Sequence, residues 1–67
     1  MSPEKMVMMA NQIATFFNTQ PGDQATERVA GHLRDFWAPA MRDQLKDYVA
    51  AGGEGLNPTV TAAAAQL

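Results

Sequence analysis

Four prolines, Pro3, Pro21, Pro39 and Pro58, punctuate a chain of 67 residues. Proline has no N–H to give a helix interior, and its ring clashes with the turn before it. It therefore belongs in a first helical turn or between elements. The stretches between these prolines carry apolar residues at helical spacing. The punctuation and the periodicity together predict a chain of short helices.

Ser2-Pro3-Glu4-Lys5 reads as a helix start. Ser2 supplies a capping oxygen, Pro3 fits the first helical position and Glu4 favours the positive end of the helix dipole. This helix is expected over about residues 3–18, stopping before Gln20-Pro21-Gly22. At 100° per residue, Met6, Met9, Ala10, Ile13, Phe16 and Phe17 share one side, and Val7 and Ala14 widen it. The apolar arc is about 180°, well beyond the roughly 100° stripe of a surface helix. Met8 lies outside even that arc. Such a helix calls for two neighbours, one inside the domain and one beyond it.

Asp23 is the expected cap of a second helix over about residues 23–37. Val29, Leu33 and Phe36 align with Ala25 on one face, so Phe36 is expected in the core. Trp37 lies about 60° from the centre of that face and next to the break at Pro39. A third helix, about residues 39–51, carries Met41, Leu45, Tyr48 and Val49 as a core stripe and ends at Gly52-Gly53. Asn57-Pro58 then opens a short helix over about residues 58–66. Its alanine run has good propensity but little to bury, so it docks or frays. The expected fold is all-α, a single small helical domain over residues 1–67: a three-helix antiparallel bundle with a short C-terminal helix or tail.

A core this small is hard to close without a staple. The chain has no cysteine and one histidine, so disulfides, thiolate metal sites and a zinc site of its own are excluded. A partner is the remaining source of extra stability. Five basic residues among seven acidic ones give a net charge of -2, which argues against nucleic acid. No apolar run approaches the ~20 residues that cross a bilayer, and the N-terminal residues do not resemble a secretory signal. The expected location is the cytoplasm, away from membranes.

No catalytic signature stands out. His32 has no nucleophile beside it in the sequence, and a boundary position suits it better than a general base. Gly52-Gly53-Glu54-Gly55 follows a helix, whereas dinucleotide-binding glycines follow a strand. Gly31 stands inside a helix at a cost of roughly 1 kcal/mol against alanine, which a close approach by a partner would justify and drift at an exposed site would equally produce. The residues singled out for a partner interface are Met8, Phe36, Trp37, Pro39 and Arg42. Met8 is an adaptable apolar contact. Trp37 at a chain break suits an interface anchor and the core equally, and Arg42 can fork onto acidic or carbonyl groups of a partner or pair locally with a residue such as Asp43. Arg34 reads more simply as a solvated charge.

Four segments in order carry a family resemblance: Met9-Ala10-Asn11-Gln12-Ile13-Ala14 with Phe16-Phe17; Phe36-Trp37-Ala38-Pro39-Ala40-Met41-Arg42; Tyr48-Val49-Ala50-Ala51-Gly52-Gly53; and Gly55-Leu56-Asn57-Pro58. Over roughly residues 6–60 the chain resembles the delta subunit of soluble, molybdenum-containing, NAD-dependent formate dehydrogenases. The resemblance implies a non-catalytic accessory subunit that supports assembly or stability of the enzyme. It implies partners: a large catalytic subunit with molybdenum cofactor and iron–sulfur clusters, and diaphorase-type subunits that carry FMN and use NAD. No cofactor is expected on this chain. The alternative is a free-standing small helical adaptor or regulatory protein, alone or as a homodimer; a helix-turn-helix DNA binder is disfavoured by the charge.

Overall fold

A computed structural model describes residues 1–67 as four helices: α1 (Pro3–Asn18), α2 (Ala25–Phe36), α3 (Pro39–Ala50) and α4 (Pro58–Ala64). Three of the four begin at a proline, which takes the position where a missing N–H costs nothing. Ser2 caps α1 by accepting a hydrogen bond from the Lys5 N–H at 3.2 Å. Asn57 caps α4, its Oδ1 accepting from the Thr59 N–H at 2.9 Å. The start of α2 differs from expectation. Gln24 occupies the cap and makes no side-chain capping bond, and Asp23 stands one residue too early to serve.

The end of α3 shows why two glycines follow it. The Gly52 N–H donates to the Val49 carbonyl at 3.0 Å and the Gly53 N–H to the Tyr48 carbonyl at 2.9 Å. This is the Schellman arrangement, which needs left-handed backbone after the last helical turn. Gly52 and Gly53 supply it with φ of 123° and 62°. The loop beyond is tied down from two sides. The Tyr48 hydroxyl donates to the Glu54 carbonyl at 2.6 Å. The Asn11 side chain spans from α1: its Nδ2 donates to the Gly55 carbonyl at 2.9 Å and its Oδ1 accepts from the Asn57 N–H at 2.8 Å. Both ends of one amide thus fix where α4 begins.

That placement puts α4 in the middle of the molecule. It packs against α1, α2 and α3, and its pairing with α2 is the most extensive in the structure. α3 meets α4 but only grazes α1 and α2. Val60, Ala63 and Ala64 of α4 are buried together with Met6, Ala10 and Ala14 of α1, Val29, Ala30 and Leu33 of α2, Leu45 of α3, and Trp37. Met9, Ile13, Phe17, Met41, Tyr48, Val49 and Leu56 pack against this core while half-covered. The alanine run expected to have little to bury is a central part of the core. Alanine is what lets a short helix approach its neighbours closely enough to sit there.

Ala63→Leu tests this arrangement. Extra carbons in a filled core cost about 1–3 kcal/mol, read as a lower urea midpoint or Tm. A C-terminal segment that merely frayed would leave both unchanged.

Candidate functional site

The turn between α2 and α3 holds most of the residues expected to meet a partner. Trp37 follows α2 with extended backbone, φ -88° and ψ 138°, which ends the helix and redirects its side chain. Only 6% of it is exposed. It is a core residue, and its expected role as an outward anchor is corrected. Phe36 is 74% exposed, so its expected place in the core is corrected as well. The two exchange roles because α4 packs so extensively on α2. Ala30 and Leu33 are wholly covered while Phe36 is not, so the buried stripe of α2 is turned toward Ala30 and away from Phe36.

Arg42 holds this turn from α3. Its Nη1 donates to the Trp37 carbonyl at 2.8 Å and to the Arg34 carbonyl at 2.9 Å. Carbonyls at a helix C-terminus have no intrahelical partner and carry the negative end of the dipole, so a guanidinium suits them. These two bonds are internal to the chain and differ from the docking contacts expected of Arg42. Arg34 itself donates to the Gln66 carbonyl at 3.3 Å, joining α2 to the segment after α4. It is more than the solvated charge its sequence position indicated. Pro39 is exposed at the start of α3.

The exposed aromatics lie elsewhere. Along α1 and α2 four rings form a continuous row. Phe16 meets Phe17 edge-on with centroids 5.2 Å apart, Phe17 meets His32 at 6.2 Å, and His32 meets Phe36 at 4.8 Å. The two ends are open, Phe16 at 60% and Phe36 at 74% exposure, and the two middle rings are half-buried. Beside the row lies a shallow cleft of about 280 Å³ lined by Gln12, Ile13, Phe16, Phe17 and His32. None of these lining residues is an Asp, Glu, Lys or Arg. Met8, 54% exposed, lies on α1 about 80° around the helix from Phe16 at 100° per residue. Met8 is open to solvent but outside the row.

The row was only partly visible beforehand. His32 and Phe36 stand four residues apart, the spacing that stacks side chains on a helix, and Phe16-Phe17 close the preceding helix. Assigning Phe36 to the core hid its convergence with Phe16 on the surface. Gly31 also resolves: a β-carbon there would meet nothing within 4 Å. No approach within this chain requires a glycine at that position.

No group of three or more His, Cys, Asp or Glu side chains gathers where it could hold a metal ion. No helix is long and apolar enough to cross a membrane. Fold and surface define a class: a small four-helix domain with several polar side chains bonded to its own backbone and a row of aromatic rings on its surface. The family model for the NADH-dependent formate dehydrogenase delta subunit, FdsD, matches residues 5–64. The chain belongs to that family. No curated protein matches it.

Two measurements separate inner from outer aromatics. Trp37→Ala is expected to cost about 3–5 kcal/mol, as large-to-small core changes do. Phe36→Ala should stay within about 0.5 kcal/mol of the parent, both read by urea unfolding of the isolated chain. Gly31→Ala should stabilise the isolated chain by up to roughly 1 kcal/mol, because alanine is the better helix former and the space is open. A loss of stability there would show that the site is crowded.

Proposed function

We propose that this chain is a non-catalytic accessory subunit that docks on, and supports assembly or stability of, a cytoplasmic molybdenum-containing NAD-dependent formate dehydrogenase. One observation carries the reading: a chain matched over residues 5–64 by a subunit family leaves Met8, Phe16 and Phe36 more than half exposed. In a domain of this size those side chains are apolar surface withheld from a small core. A subunit interface is where such surface becomes covered.

The chemistry of the complex then lies with its other members. Molybdenum cofactor and iron–sulfur clusters belong on the large catalytic subunit, and FMN and the NAD site on the diaphorase-type subunits. This chain has no cysteine to ligate a cluster. Of the five residues singled out from sequence, Met8, Phe36 and Pro39 are the ones exposed to a partner. Trp37 and Arg42 contribute by fixing the turn from which Phe36 and Pro39 project.

The test compares the other formate dehydrogenase subunits produced with and without this chain. The intact complex should form in lower yield, or dissociate at lower temperature, when the chain is omitted. The isolated chain should melt early, and purified large subunit should raise its midpoint, since a ligand of the native state stabilises by mass action. Equal yield and equal thermal stability with and without the chain would refute the proposal.

A further inference from the structure

The geometry points to the aromatic row Phe16–Phe17–His32–Phe36, with its cleft on α1 and α2, as the anchor by which this chain seats on an uncharged apolar face of a larger formate dehydrogenase subunit. The inference rests on the subunit reading above and adds the surface and the kind of face it meets. Phe16, Phe17 and His32 were not among the residues expected at the interface.

Three observations support it. The row is continuous, ring against ring from 4.8 to 6.2 Å, so a partner meets one preassembled surface rather than scattered side chains. Rigid aromatic anchors of this kind lose little conformational freedom on binding and dominate interface energetics. The cleft is lined by Gln12, Ile13, Phe16, Phe17 and His32 and carries no carboxylate, ammonium or guanidinium. A charged side chain entering it would be desolvated without a counter-charge, so the fitting occupant is an apolar side chain. The Gln12 amide and the His32 imidazole remain as polar groups that can fix its orientation.

Area argues for a larger partner over a second copy. Phe16 and Phe36 are 60% and 74% exposed. With about 200 Å² for a whole aromatic side chain, they offer roughly 270 Å² together. His32, Phe17 and Ile13 are half-covered and add less each. A stable interface of standard size buries about 800 Å² on each side. Two copies meeting row to row fall short of that. A larger subunit can cover the row and continue over neighbouring surface, including Met8.

The test uses the co-expressed complex, with an affinity tag on the large subunit and this chain as wild type or as the double variant Phe16→Ser, Phe36→Ser. Both side chains are mostly exposed, so the variant should keep its helix content and melting midpoint, checked by circular dichroism. Retention of the variant on the tagged subunit should fall at least tenfold, while Lys46→Ser, on the α3 side, should be retained as wild type. Wild-type retention of a folded double variant would overturn the inference and leave the subunit reading intact. Failure of the wild-type chain to be retained would overturn both. Sedimentation of the isolated chain as a dimer that the double variant abolishes, with retention on the large subunit unchanged, would assign the row to self-association and overturn the inference.

Discussion

The close seating of α4 on α2 is the constraint on which the rest of the molecule depends. Val60 and Ala63 are wholly covered and Ala64 nearly so. α4 has seven residues, too few to persist as a helix in water alone, so its structure comes from the neighbours it touches. Those neighbours depend on it in return. α3 has no extensive contact except through α4, and without α4 Leu45 would lose much of what it packs against. Small side chains make this possible, since a bulkier helix would hold α1, α2 and α3 apart. The amide of Asn11 and the hydroxyl of Tyr48 then fix the approach to α4, so that it enters the centre at one position.

Local signals read well from the sequence where the physics is local. Ser2, Pro3, Pro39, Gly52-Gly53 and Asn57-Pro58 each act within one turn of chain, and each performs the role its chemistry indicates. Asp23 does not, because Gln24 takes the cap one residue later. Faces were harder to read. The stripe of α2 can be centred on Phe36 or on Ala30 with little change in periodicity, and only knowledge of what packs there decides between them. Composition made α4 look like a tail, since four alanines carry little hydrophobic area. The same alanines are valuable when close approach rather than area is the limiting quantity. Misplacing α4 therefore misplaced Phe36 and Trp37 with it. The carbonyl contacts of Arg42 were beyond sequence reasoning, because they require the turn to be folded first.

Two of the three arginines bind within the chain, while the aromatic row lies at its surface. Arg34 and Arg42 bind backbone oxygens across element boundaries, to Gln66 in one case and to Trp37 and Arg34 in the other. They hold the ends of helices in relation to each other. Phe16 and Phe36 lie open on the flank of α1 and α2, with Phe17 and His32 half-buried between them. The wide apolar arc of α1 fits this division, with Met6, Ala10 and Ala14 buried and Phe16 open.

The order of elements along the chain has a consequence for biosynthesis. The helix that closes the core is the last of the four to be made. While a ribosome is still adding residues beyond Asn57, α1 and α2 are complete but Val29, Ala30 and Leu33 lack the helix that covers them. The nascent polypeptide therefore cannot reach its native state one element at a time from the N-terminus. Its core stays incomplete until residues 58–64 have emerged. During that interval its apolar surface is available to chaperones and to other newly made chains. Folding and encounter with other proteins thus fall in the same window of the molecule's life.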